Sequence, residues 1–234
     1  MSWYLAHIPK TGGEFLSQQL SAILYNKFSS KEYCNTRTNV FGIVVLRYPE
    51  DHLMSQYIQC ISHPEFGRKR KLLQHPNESV LDGFTRWIYT AWEYRKSLNK
   101  SYDPKYRRSF YDCYNPWNLQ TRFLTSGYAN LTTAMTLLDS MYLVVGTLER
   151  LKDVQQLFNV YNASLPFLRH NNKKNTLKVS EMSKNLRLRI RRLVSLDMQL
   201  YAYASFLQSK RDQKFWETYT APLHKLEMPN YYKF

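Results

Sequence analysis

"LAHIPKTGGEFLSQQL", residues 5–20, decides how the rest of the chain is read. A mostly apolar run from Trp3 to Ile8, with His7 its polar member, meets Pro9, Gly12 and Gly13, and helical spacing follows from Phe15 to Leu24. The pattern predicts a strand, a tight turn and a helix. Adjacent glycines let the main chain approach an anion closely, and the helix start offers it unpaired N–H groups and a positive dipole end. Of the seven glycines in 234 residues, two stand side by side here, with Lys10 as a mobile cation at the rim. A Walker loop places Gly-Lys-Ser/Thr after four intervening residues. Here the lysine precedes the glycines, so ATP hydrolysis is disfavoured. The alternative is a plain βα turn with a solvated lysine.

Two further apolar runs work outward from that unit. "VFGIVVL" (40–46) is continuous and rich in branched residues, as a strand buried on both faces of a parallel sheet must be. "YLVVG" (142–146) reads the same way and leads toward a helix near Leu148 to Val160. Apolar residues at helical spacing predict helices over 79–98 and over 181–208, the latter with Ser180 as N-cap. Asp197 falls within the second stripe and is expected to be a hydrogen-bonded core carboxylate. Basic, loop-like stretches lie at 99–118 and 162–179. Strand–turn–helix units with buried strands predict a parallel α/β sheet covered by helices, in a single domain over 1–234 with a helical part from about 180 to 234. In such sheets ligands bind beyond the carboxyl ends of strands. Those ends are Pro9-Lys10 and Arg47.

With 44% hydrophobic and 15% aromatic residues, the chain has enough apolar surface for a sizeable core. No apolar run approaches the roughly 18 residues that span a bilayer, and a strand starting almost at Met1 leaves no signal peptide before it, so a cytoplasmic protein is expected. A truncated lumenal chain is the other reading. Cys34, Cys60 and Cys113 lack metal-ligand spacing, and their odd number favours reduced thiols over a disulfide framework. Four N-glycosylation sequons, at Asn77, Asn99, Asn130 and Asn162, then read as chance matches. The net charge of +15 is the strongest compositional signal; Lys184 to Arg192 alone holds five basic residues and no acid. Such a field attracts polyanions, whether nucleic acid, anionic membrane, acidic glycan or a charged nucleotide, and charge does not choose among them.

"VLRYPEDHLMSQY" (45–57), taken with "HIPKTGG" (7–13), resembles the carbohydrate sulfotransferase families, especially the heparan-sulfate 2-O/6-O type. "NLQTRFL" (118–124), "VGTLERL" (145–151) and "LDMQLYAYASF" (196–206) resemble later landmarks of those families in the same order. The resemblance implies a P-loop-like parallel sheet flanked by helices, the sulfotransferase fold. It also implies a sulfuryl donor, 3′-phosphoadenosine 5′-phosphosulfate (PAPS), and a product, adenosine 3′,5′-bisphosphate (PAP). His7 to Gly13 match the 5′-phosphosulfate loop, so Lys10, Thr11, Gly12 and Gly13, with Glu14 and Phe15 behind them, are implied donor ligands. Arg47, with Ser55 eight residues on, matches the 3′-phosphate motif. Lys173 and Lys174 fall where the families fold over the nucleotide. The acceptor implied is a hydroxyl of a carbohydrate or related molecule, and the basic surface favours an anionic glycan.

The site's chemistry is consistent with that implication. PAPS needs two separated anion sites, and Arg47 forks two hydrogen bonds to a phosphate where the Ser55 hydroxyl adds a third. Sulfuryl transfer places attacking and leaving oxygens in line, so catalysis is mostly positioning and charge stabilisation, with Lys10 at the bridging oxygen. No metal is required. Two departures stand out. Glu14 and Phe15 replace the families' usual Thr and small residue, which puts a carboxylate at the mouth of an anion site. Between Lys10 and Arg47 there is no histidine to act as general base; Glu32 is the candidate there, and His52, His63 and His75 beyond Arg47 are the alternatives if the chain folds back. These departures motivate a rival: a non-catalytic protein of the same fold that binds polyanions, glycan or nucleic acid. A dedicated nucleic-acid module is a third reading, for which no reader motif is present.

Overall fold

The computed structural model describes residues 2–6, 8, 11, 16–18, 20–21, 28–31, 40–62, 74–98, 116–127, 129–154 and 178–220. Four strands, β1 (Ser2–Ala6), β2 (Phe28–Lys31), β3 (Val40–Leu46) and β4 (Tyr142–Thr147), form one open sheet in the order β2-β1-β3-β4. Every pairing in it is parallel. The continuous apolar run of β3 has the cause expected of it. Ile43 and Val45 pack on one side with Leu5, Leu16, Leu20 and Val154. Val44 and Leu46 pack on the other with Ala6, Leu138, Leu200 and Ala204. A strand whose successive side chains point to opposite covered faces has no polar position to offer. The molecule is thus an α/β protein, as the alternating elements predict.

Among the described residues six helices have defined bounds: α1 (Pro49–Ser62), α2 (Val80–Leu98), α3 (Leu119–Leu124), α4 (Leu131–Ser140), α5 (Lys184–Leu193) and α6 (Ser195–Thr220). Residues Leu16, Ser17, Gln18, Leu20 and Ser21 are also helical, as the opening stretch predicts. A second core forms among α1, α2 and α5, where Tyr57, Phe84, Trp87, Ile88, Leu186 and Ile190 bury one another. Gly42 sets the entry of β4 beside β3. The register slips between Gly42 and Ile43, and a Cβ at Gly42 would strike the Met141 carbonyl oxygen.

Three expectations are corrected. The helix read over 181–208 is two helices, α5 and α6, broken at Val194. Ser180 lies in a 3-10 turn, and Ser183 is the cap, its Oγ accepting from the Leu186 N–H at 3.3 Å. The break comes from outside the local sequence, because the Asn118 N–H donates to the Leu193 carbonyl at 3.1 Å and so closes α5. Cys60, completely buried in α1, is disulfide-bonded rather than reduced. An odd number of cysteines argues against a framework of bridges but leaves room for one. The region after β4 begins as a 3-10 turn, Leu148–Arg150, before Leu151 to Val154 become helical.

The start of α2 carries the clearest titration signature. The carboxylate of Glu78 accepts from Arg86 Nε at 3.0 Å, from Arg86 Nη2 at 2.7 Å and from the His75 N–H at 2.9 Å. These bonds, the Arg86 fork first, hold Glu78 down at about 2, below its ordinary 4.5. A depressed folded-state pKa stabilises above the unfolded value and loses that contribution as pH falls. Urea midpoints should therefore show Glu78→Gln less stable than the parent at neutral pH. The gap should close as pH drops from 4.5 to about 2.

Candidate functional site

The strand order creates one topological switch point. The chain leaves β1 for β2 on one side, then returns to β3 on the other, so the crossovers diverge between β1 and β3. In open parallel sheets a crevice opens there, outside the carboxyl ends of the strands. Ala6 at the end of β1 is level with Val44 in β3, so both strands finish at the same edge.

At the β1 end the chain turns at once. The Thr11 hydroxyl donates to the Ile8 carbonyl at 2.8 Å and its N–H points to the same oxygen at 3.4 Å. Thr11 is buried and closes the turn. At the β3 end stands Arg47, half-buried, one residue past the ladder. Burial pulls its guanidinium pKa down, while Asp51 and then Glu149 push it back up. The same edge therefore holds a partly desolvated cation and two carboxylates. Asp51 itself is raised by desolvation, with Arg47 opposing the rise.

Shortly after Arg47, α1 begins with Pro49, Glu50 and Asp51. A proline without an N–H and two acids suit a first helical turn. Ser55 is 6% exposed and lies on the inner side of α1 together with His52 and Gln56. Buried Glu50 accepts from Arg191 Nε at 2.6 Å, which joins α1 to the basic helix α5.

Glu149 is fixed from two directions. The Tyr48 N–H donates to its Oε1 at 2.9 Å and the Tyr201 hydroxyl to its Oε2 at 2.9 Å. The Tyr48 and Tyr201 rings meet edge-on at 5.6 Å. Desolvation, then the Glu149 charge, push the Tyr201 phenol up to about 12, so it remains a donor.

Behind Arg47 lies a buried polar network. Gln120 Oε1 accepts the Arg47 N–H at 2.9 Å, and Gln120 Nε2 donates to the Arg47 carbonyl at 2.8 Å. The Asp197 carboxylate accepts from the Gln120 N–H at 3.1 Å, the Thr121 N–H at 2.8 Å and the Thr121 hydroxyl at 2.7 Å. Asn118 acts in the opposite direction, its Oδ1 accepting from the N–H groups of Leu196 at 2.9 Å and Asp197 at 3.4 Å. Each residue thus caps the other's helix. Asn118 takes the left-handed conformation to do so, with φ of 43°, which asparagine tolerates better than most side chains. Burial pushes the Asp197 carboxyl up, and the bonds from Thr121 and Gln120 hold it back. Asp197 is the hydrogen-bonded core carboxylate expected.

Of the residues nominated from sequence, Thr11, Arg47 and Ser55 are described; the turn and Arg47 stand at adjoining strand ends, and Ser55 rides the helix that follows. Lys10, Gly12, Gly13, Glu14, Phe15, Glu32, Lys173 and Lys174 lie outside the described residues. Arg122 and Arg150 are occupied structurally. Arg122 Nε donates to the Trp117 carbonyl at 2.7 Å, and Arg150 bonds Asp153 at 2.7 Å and Asp212 at 2.8 Å. The sequence reading nominated none of Gln120, Asp51, Glu149 and Tyr201 individually, although each falls inside a stretch quoted for the resemblance. Asp51 lies four residues from Arg47, while Gln120 and Glu149 reach Arg47 and Tyr48 only through the fold. Among the described residues no group of three His, Cys, Asp or Glu side chains is placed to hold a metal ion, and no helix is long and apolar enough to cross a membrane. The chain matches no family model, no curated protein and no solved structure.

Removing the Asp197 carboxylate leaves three buried donors unpaired, at about 1–3 kcal/mol for each such group. Asp197→Ala should lower the unfolding free energy by about 3 kcal/mol or more in chemical denaturation. Asp197→Asn, which keeps one acceptor oxygen, should lose less.

Proposed function

We propose that the chain is a PAPS-dependent sulfotransferase that moves a sulfuryl group to a hydroxyl of a carbohydrate or related acceptor. The observation that carries this reading is the pair of adjacent strand ends at the switch point. One leads into the Ile8–Thr11 turn and the other presents Arg47. A donor with phosphates at both ends of its ribose requires two anion sites separated by about one nucleoside, and adjoining strand ends offer that arrangement. On this reading Arg47 and Ser55 grip the 3′-phosphate, and the turn with Lys10 and the main chain of Gly12 to Phe15 holds the phosphosulfate. The acceptor oxygen attacks sulfur, and the sulfur–oxygen bond to the 5′-phosphate breaks. PAP departs with its new charge beside Lys10, and the hydroxyl proton passes to a general base, for which Glu32 is the candidate. Lys173 and Lys174 would close over the nucleotide.

A second reading, polyanion binding without transfer, is favoured by the outer face of α5. Lys184, Arg191 and Arg192 are exposed there, and Arg189 stacks 4.1 Å over the Tyr89 ring. Exposed Leu188 lies among them.

Titration calorimetry with PAP separates the two. The parent should bind at micromolar strength, and Arg47→Ala should weaken binding about a hundredfold, the worth of two charge-assisted hydrogen bonds. Ser55→Ala should weaken it about fivefold, near one neutral hydrogen bond. Labelled-sulfate transfer from PAPS across a panel of glycans and simple alcohols then identifies the acceptor. A parent protein that ignores PAP but holds heparin-like chains would favour the second reading and end the first.

Asp51 and Glu149 supply an electrostatic corollary. Both carboxylates compete with an incoming phosphate for Arg47, so Asp51→Asn should tighten PAP binding severalfold at low salt. Because desolvation raises the Asp51 pKa, acidification should neutralise it early and tighten binding in the parent, an effect that Asp51→Asn should reduce.

A further inference from the structure

We propose that Gln120 is the positioning residue of the Arg47 anion site, an inference that rests on reading Arg47 as a phosphate ligand. The ladder between β3 and β4 ends where Leu46 faces Thr147, and that between β3 and β1 ends where Val44 faces Ala6. Arg47 is the first residue beyond both. Gln120, 1% exposed, supplies the acceptor and the donor that a next strand would have supplied, bonding the N–H and the C=O of Arg47 together. A glutamine side chain has one carbonyl and one amide, and both are used on this one residue.

Gln120 is itself immobilised. Its main-chain N–H is tied to Asp197, which also holds both donors of Thr121, and Asn118 pins the helix start that carries Asp197. The Arg47 peptide is thereby clamped to a fixed, buried frame. An arginine side chain carries substantial rotamer entropy, and only its fork geometry repays the ordering when two oxygens are met together. Fixing the peptide from which the fork springs narrows where it can point before any anion arrives, which is preorganisation.

An internal control exists. Gln208, equally buried, makes a related clamp at the end of β4, its Oε1 accepting from the Thr147 N–H at 3.0 Å and the Thr147 hydroxyl at 3.2 Å. No anion ligand is assigned to Thr147. Gln208 Nε2 also reaches the Arg150 carbonyl at 3.4 Å, a long contact, so losing the clamp should cost stability at the end of β4 while the Arg47 peptide keeps both of its bonds.

The test is a mutant cycle read with two probes, PAP and inorganic pyrophosphate, alongside thermal unfolding. Gln120→Met keeps the size of the side chain and removes both bonds. It should weaken binding about tenfold with Arg47 present, the worth of about one hydrogen bond. In an Arg47→Lys background the same change should weaken binding less than about twofold, because a rotatable ammonium needs no fixed fork. Gln208→Met should lower the melting temperature comparably and leave both affinities unchanged. Equal losses in the parent and Arg47→Lys backgrounds, or a matching loss in Gln208→Met, would show that Gln120 merely supports the fold and would overturn the proposal. Should pyrophosphate bind with the expected dependence while PAP does not, the positioning role stands and the PAPS reading falls. Should neither probe bind, Arg47 is no anion site and the proposal falls with it.

Discussion

Asn118 and Asp197 exchange caps, and the rest of the site is built outward from that exchange. Asn118 sits at the start of α3 and satisfies the first amides of α6; Asp197 sits in the first turn of α6 and satisfies those of α3. Helix starts leave amides without internal partners, and burying them unsatisfied is costly. Two helices distant in sequence therefore solve one problem together, and neither start is satisfied this way without the other. The consequence reaches the sheet, because α3 carries Gln120 to the end of β3. A carboxylate only 1% exposed is a costly way to hold a helix, and three converging donors make it tolerable.

Among the described residues, the same edge of the sheet carries more carboxylate than the net charge of +15 suggests. Around Arg47 stand Asp51 and Glu149, while Glu50 is held by Arg191. Carboxylates beside an arginine keep a partly buried guanidinium tolerable, and any anion that binds must displace that attraction. Local field and global field differ in reach. Salt at physiological strength screens the surface lysines and arginines beyond about 8 Å, but the strand-end charges act at shorter range. The two fields therefore respond differently to salt.

Strands β3 and β4 were readable because their signals are local. β3 occupies the apolar run 40–46 to the residue, and the run after Met141 became β4 with one residue added. The α2 boundary moved by a single residue, since the stripe of Phe84, Trp87, Ile88 and Ala91 is set by its own periodicity. What the sequence hid is tertiary. The break at Val194 depends on an amide donated by Asn118, far back along the chain, whereas the Ser183 cap is a local signal three residues beyond the serine first read as the cap. Short α3 and the polar-faced α1 carry too little apolar pattern to announce themselves, and β2, "FSSK", carries almost none. At the site, Arg47 and Ser55 were legible as residues near a strand end. Gln120 and Glu149 acquire meaning only when folding brings them 73 and 101 positions along the chain to Arg47 and Tyr48.

That contrast has a physical root. An anion ligand needs only the right side chain at a strand end, and a strand end is a local event. Its rigidity requires buried donors and acceptors to be satisfied by whatever the fold brings near, and each such partner is fixed by the whole topology. Gln120 and Gln208 illustrate the point at two neighbouring strands. Parallel strands β3 and β4 stop at the same edge, and these glutamines meet the terminal amides that the ladders leave over. One comes from α3 and one from α6. Arg47 then stands on a fixed stem at the end of β3, and the stability of α3 and α6 becomes inseparable from the position of that stem.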